Sequence, residues 1–303
     1  MAKELTQAVI EQWIALCNGT FSVRDIWGEL NIVSPEAKQH LRVILNRLED
    51  KKAVQKTAKD GFYRKIDVTV DEMDWQSADI NNIMDIKFPF DLHNYCKIYP
   101  KSIIIIAGEK NAGKTSFLYQ CVKLNMFNFQ VDLFNSETGV EQMKERFEPL
   151  DIPVPAPFRA IEKYSDFSDV MDPTHLSIVD YLDFNSELYL IGDEIDRMFR
   201  KLTTGAAIIG IQKPAATTAI VRGKKVIQSR DLGYGGAFTA KRAVLYISLG
   251  MSILKVVYIK NPKVKTISYN NAQWKYKFDD NGYFTDIKRY YSDEEEDYLH
   301  DVE

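Results

Sequence analysis

The sequence predicts an α/β protein with a mainly parallel sheet, carrying a small helical domain at its N-terminal end. Three observations lead there. A continuous apolar run from Ile103 to Ala107 reads as a buried strand, and a glycine-framed turn, Gly108 to Gly113, follows it. Strand-like and helix-like stretches then alternate through about residue 265, the pattern of a parallel sheet with crossover helices. Before residue 100 the pattern differs: three short helical periodicities end in a hairpin signal.

Composition sets the outer bounds. The chain has 303 residues, 45% hydrophobic and 27% charged, with a formal net charge of -4. It is long enough to bury one large core or two smaller ones. Without a global basic field, nucleic-acid binding would need a local patch. Cys17, Cys96 and Cys121 are far apart and odd in number, so neither a disulfide framework nor a metal-ligand spacing is expected. The first residues, Met1-Ala2-Lys3-Glu4, lack the apolar core of a signal peptide, and no apolar run is long enough to span a bilayer. A cytoplasmic protein with no membrane partner is expected.

Taken in order, Ala8, Val9, Trp13, Ile14 and Cys17 fall at helical spacing over 4–19, and Asn18-Gly19 supplies a stop. Ser22 is a plausible cap for a second helix over 22–31. Ser34 caps a third, with Pro35 in its first position and Leu41, Ile44, Leu45 and Leu48 on one face. Two short stretches, Ala53–Lys56 and Phe62–Lys65, flank Asp60-Gly61 as a hairpin. Three helices and a hairpin over 1–66 resemble a winged helix-turn-helix. Residues 67–100 read as a linker, acidic in its first half, whose Phe88-Pro89-Phe90 should pack onto the next domain. Strands are expected at Gln130–Phe134, Leu176–Tyr181, Ala206–Ile211, Ala243–Leu249 and Leu254–Ile259, with short aromatic β-pieces from Thr266 to Tyr291 closing a domain over 101–291. Residues 292–303 form an acidic tail, expected to be disordered.

The turn after the first strand carries the chemistry. Gly108-Glu109-Lys110-Asn111-Ala112-Gly113-Lys114-Thr115 fits G-x-x-x-x-G-K-[ST]. Gly108 and Gly113 let backbone N–H groups turn toward an anion. Lys114 would meet the β/γ-phosphates of ATP, and Thr115 would hold Mg²⁺. Residues Gly108 to Ser116 are therefore the expected nucleotide-binding segment, with the helix N-terminus adding positive field. Hydrolysis also needs an acid for Mg²⁺ and a group to position water. Asp180 ends an apolar strand, expected beside the strand of the turn, and is the Mg²⁺ candidate. Glu137, in Asn135-Ser136-Glu137, also follows a strand and could orient or deprotonate water. Gln212 follows the strand 206–211 and could bond the γ-phosphate.

This order resembles the RecA/DnaB superfamily of P-loop ATPases over about residues 100–265. The resemblance implies a RecA-like core, Glu137 as catalytic base, Asp180 as the Mg²⁺ acid and Gln212 as γ-phosphate sensor. Tyr258-Ile259-Lys260-Asn261-Pro262-Lys263 resembles the element that reaches a neighbouring subunit's nucleotide. That implies Lys260 and Lys263 acting in trans within a homo-oligomeric ring or filament. The N-terminal helices depart from the helical collar of the replicative helicases.

Two basic regions are candidate DNA contacts. Lys213, Arg222, Lys224, Lys225 and Arg230 lie between Gln212 and Asp231 without an acid, in what reads as a flexible loop. Residues 38–65 carry nine basic against three acidic side chains, +6, and include Lys38, Arg42 and Arg64. On a winged helix the third helix would enter the major groove of a duplex and the wing would touch the backbone; the expected partner is DNA, single- or double-stranded. The function expected is an ATP-hydrolysing DNA-binding protein of replication, recombination or repair. The alternatives are a nucleotide-gated regulator without turnover, or an assembly or packaging ATPase.

Overall fold

A computed structural model describes residues 5–17, 19–67, 70, 72–182, 190–221, 224–228 and 230–290; for residues 16, 218–221 and 224–228 it describes the backbone only. The chain divides into two compact units, Met1–Ala78 and Asp79–Glu303. No helix of the described residues is long and apolar enough to cross a membrane.

The N-terminal unit runs α1 (Gln7–Leu16), β1 (Thr20–Ser22), α2 (Val23–Glu29), α3 (Pro35–Asp50), β2 (Val54–Lys56) and β3 (Phe62–Lys65). Ser22 and Asp25 close a reciprocal capping box on α2, and Ser34 accepts from Ala37 N–H to start α3 behind Pro35. The apolar face of α3 buries Leu41, Ile44, Leu45 and Leu48 against Ile10, Ile14, Phe21 and Ile26. Its three strands form an antiparallel sheet in the order β1-β3-β2. Thr20–Ser22 was not read from sequence as a strand; three residues are too few to show alternation.

The larger unit is an α/β structure built on one sheet. Its elements are β4 (Ser102–Gly108), α4 (Lys114–Asn125), β5 (Val131–Asn135), α5 (Val140–Phe147), β6 (Phe158–Glu162), α6 (Phe167–Val170), β7 (Leu176–Leu182), α7 (Leu190–Lys201), β8 (Ala206–Gln212), β9 (Thr217–Val221), β10 (Lys224–Gln228), α8 (Ala237–Ala240), β11 (Ala243–Gly250), β12 (Ile253–Ile259), β13 (Gln273–Phe278) and β14 (Phe284–Tyr290). Among the described residues the main sheet has nine strands, ordered β14-β13-β12-β11-β4-β8-β7-β5-β6. From β11 through β6 every pairing is parallel.

The apolar runs follow from burial on both faces. Ile104 and Ile106 of β4 pack with Phe117, Leu118 and Val122 of α4, while Ile103 and Ile105 pack with Ile191, Ile195 and Met198 of α7. Phe88, Phe90 and Leu92 join the α4 side, so the segment after Asp79 is part of this core. Cys96 and Cys121 are buried free thiols, and Cys17 is half-buried and free.

Three expectations are corrected. Alternation fails after β11: Met251-Ser252 links β11 to β12, and the pair is antiparallel. Two residues cannot make a parallel crossover, and Ser252 takes the left-handed φ of 61° that the reversal needs. The strand bearing Asp180, β7, is not beside β4; β8 lies between them. The expected flexible loop after Gln212 contains the antiparallel ribbon β9–β10, in register Val221↔Lys224. Arg222 and the acidic tail, 292–303, lie outside the described residues.

Candidate functional site

The turn 109–113 joins β4 to α4. Asn111 and Gly113 take left-handed φ values of 63° and 84°. At Gly113 a side chain is excluded twice, by φ and by space: a Cβ there would stand 2.6 Å from Phe278 Cζ. The turn ends at the first residues of α4, whose N–H groups have no intrahelical partner. Lys114 begins the helix, 7% exposed, with its Nζ 3.3 Å from Gln212 Oε1 and 4.3 Å from the centre of the Tyr181 ring.

Gln212 reaches Lys114 because β8 is the neighbour of β4, in register Gly108↔Gln212. Asp180 arrives from one strand further. Its Oδ1 accepts from the Thr115 hydroxyl at 3.3 Å, while Oδ2 is buried without a hydrogen-bond partner among the described residues. Burial pushes the Asp180 carboxyl up to about 6; Lys114 pulls it down and Glu137 pushes it further up. An orphaned carboxylate oxygen beside a threonine hydroxyl is a fitting donor pair for a hard divalent cation such as Mg²⁺. Among the described residues no cluster of three or more His, Cys, Asp or Glu forms a metal site by itself.

Glu137 is held by the end of β5. Asn135 Oδ1 accepts from the backbone N–H of Glu137 and Thr138, at 3.4 and 3.2 Å. The Ser136 hydroxyl donates to Tyr181 O at 2.7 Å, tying the end of β5 to the end of β7. Glu137 thus lines one cleft of about 350 Å³ with Glu109, Lys110, Asn111, Gly113, Lys114, Thr115, Ser116 and Gln212. Ala112 is buried beneath it.

Sequence reasoning missed several residues of this cleft. Arg146, from the last turn of α5, lines it, and its guanidinium forms no hydrogen bond or ion pair among the described residues. A signal existed: α5 starts just after Glu137, and no acid stands three or four residues from Arg146 in either direction to pair with it. The turn of β13–β14 also enters the cleft, through Phe278, Asn281, Gly282 and Tyr283. Lys213, counted in the sequence among loop cations, is 2% exposed and ion-paired with Glu109 at 3.4 Å, with Ser248 Oγ at 2.9 Å. Burial lowers its pKa while Glu109 raises it. It braces the turn and cannot contact DNA from there.

The remaining candidates lie elsewhere. Lys260 and Lys263 follow the end of β12, at the sheet edge opposite Gly108, away from this chain's own cleft. Arg230 is exposed beside a shallow hollow formed with Pro214 and residues 231–236. In the N-terminal unit Lys38 Nζ lies 4.7 Å over the Trp27 ring, and Arg64 bonds Gln55. Arg42 lines a second, basic cleft with Arg24, Lys56 and Lys59. No known family model matches the sequence, and no curated protein is found to resemble it.

Proposed function

We propose that this chain binds ATP with Mg²⁺ in the cleft at the Gly108–Ser116 turn, hydrolyses it, and couples that cycle to DNA, in the manner of RecA/DnaB-type P-loop ATPases. One observation carries the reading. Lys114, Thr115, Glu137 and Gln212, with Lys114 and Gln212 98 positions apart, line one cleft beyond the strands β4, β5 and β8, and buried Asp180 of β7 accepts from the hydroxyl of Thr115 in its wall. A scaffold with no use for phosphate has no reason to gather them. In this reading Lys114 neutralises the β/γ-phosphates, Thr115 and Asp180 hold the Mg²⁺ that neutralises them further, Glu137 accepts the proton of the attacking water, and Gln212 senses the γ-phosphate. Arg146 supplies a second positive charge where charge develops on the transferred group.

The N-terminal unit is proposed to be a winged helix whose basic cleft meets DNA, and Lys260 and Lys263 are proposed to complete a neighbour's site in a homo-oligomer. The test is the ATPase rate with and without single- and double-stranded DNA, with particle size measured in parallel. Lys114→Ala should keep the far-UV circular dichroism of the wild type and lose ATP binding. Turnover at the wild-type rate in that variant would sink the assignment.

A further inference from the structure

A phosphate cradle leaves the rest of a nucleotide unaccounted for. Past Lys114 and Thr115 the cleft runs along the first turn of α4 to Ser116, whose hydroxyl donates to Gly282 O at 2.7 Å. Whatever extends from the phosphates past Ser116 therefore meets the turn between β13 and β14. That turn is built to hold one shape. The Asp279 carboxylate accepts from the backbone N–H of Asn281 at 3.0 Å and of Tyr283 at 2.8 Å, and Gly282 takes a φ of 79°. The strands behind it close as Phe278↔Phe284. The turn is also fastened to the phosphate site. The Tyr276 hydroxyl lies 2.9 Å from Ala112 O and 2.8 Å from Gly250 O, and the Tyr283 hydroxyl donates to the carbonyl of Arg146.

Resting on the nucleotide reading above, we propose that this turn is the nucleoside subsite, with Phe278 and Tyr283 as its walls and the Asn281 amide reading the edge of an adenine base. Phe278 keeps 37% of its surface exposed while its ring packs on Tyr276 and Phe284, so one aromatic flank remains for a ligand. Tyr283 is buried, and burial pushes its hydroxyl up to about 12, so it remains a neutral donor. The Asn281 side chain makes no hydrogen bond among the described residues. A carboxamide offers one donor group beside one acceptor, which matches adenine's amino group and adjacent ring nitrogen. A guanine edge presents a different arrangement, and a carboxylate would suit its N–H groups better.

The experiment is calorimetric titration of the full chain with Mg²⁺ and ATP, GTP or inorganic tripolyphosphate, for the wild type, Asn281→Ala and Asn281→Asp. The wild type should favour ATP over GTP by about tenfold, the step expected of one good hydrogen-bonding pair. Asn281→Ala should lose about tenfold in ATP affinity with tripolyphosphate unchanged, and Asn281→Asp should shift preference toward GTP. Equal wild-type affinity for ATP and GTP, or variants that keep the wild-type ratio, would overturn the base-reading role. Equal loss of ATP and tripolyphosphate would return the turn to a scaffold for the phosphate cradle. A wild type that binds neither ATP nor tripolyphosphate would overturn the cradle reading, and this one with it.

Discussion

Asp180 is held behind Thr115 against its own electrostatics. Its side chain is fully buried, one oxygen has no partner among the described residues, and its carboxyl is raised from 3.8 to about 6. The sign of the effect on stability follows. The folded state holds the proton more tightly than the unfolded one, so stability is lost as pH rises from about 4 through about 6. Two pKa steps correspond to roughly 3 kcal/mol above that window. Asp180→Asn removes the ionisation and keeps the shape. At pH 8 it should raise the melting temperature by roughly 5 to 10 °C, a gain that shrinks as pH falls from 6 to 4. Thermal scans across pH check it; a destabilised variant at pH 8 would mean that other groups satisfy the carboxylate. The same variant should lose the Mg²⁺ dependence of nucleotide binding. Glu137→Gln belongs to the same scale. It keeps shape and removes the base, so ATP should bind nearly as before while turnover falls by roughly 10²- to 10⁴-fold. Single-turnover assays separate the two. Normal turnover in Glu137→Gln, with Asp180→Asn inactive, would mean that another group positions the water.

At the scale of elements, legibility tracked burial. The strands β4, β5, β7, β8, β11 and β12 were readable because apolar side chains cover both sheet faces, leaving nearly unbroken apolar runs such as Ser102–Gly108. β6, Phe-Arg-Ala-Ile-Glu, sits at the sheet edge with no fully buried residue, and nothing in its sequence marks it. The turn after β4 was readable because its pattern is local: eight contiguous residues, Gly108 to Thr115, carry it. The neighbours β5, β7 and β8 could be placed by chain order, although the insertion of β8 between β4 and β7 could not. Arg146 left only a faint trace, an arginine without a helical acid partner, and Asn281 left none, because their place depends on where α5 ends and where a distant hairpin folds back. No local spacing encodes where the hairpin lands. The ribbon β9–β10 yields the prediction at this scale. The chain on either side of it is anchored to the main sheet's unit, by Lys213 on Glu109 and by Asp231 on Lys255 at 2.8 Å. Replacing Arg222, Lys224 and Lys225 with Ala should weaken DNA binding and leave ATP affinity alone. Each lost phosphate contact should flatten the salt dependence by roughly 0.7 to 0.9 in log–log slope. DNA stimulation of the ATPase should vanish while the basal rate stays. Unchanged affinity and slope would remove the ribbon from the DNA surface.

For the whole molecule, the division into Met1–Ala78 and Asp79–Glu303 makes a thermodynamic statement. Each unit has its own core: Ile10, Leu41, Ile44 and Leu45 in one, and the two faces of the nine-stranded sheet in the other. A ligand stabilises only the cooperative unit that binds it, by RT ln(1 + [L]/Kd), about 2.7 kcal/mol at a hundredfold excess over Kd. For a unit the size of Asp79–Glu303 that is roughly 5 to 10 °C. Differential scanning calorimetry of the full chain should therefore resolve two transitions. Mg²⁺ and ATP should raise the one belonging to Asp79–Glu303 and leave the other in place. A short DNA duplex without nucleotide should raise the transition of the N-terminal unit, because its +6 stretch over residues 38–65 holds Arg42 and the basic cleft. That second shift should fade as salt rises, since released counterions drive it. Both transitions moving together with ATP would mean that the units fold as one. A duplex that moves neither would leave the N-terminal unit without a DNA role, and its exposed Arg42 would then suit a protein partner instead.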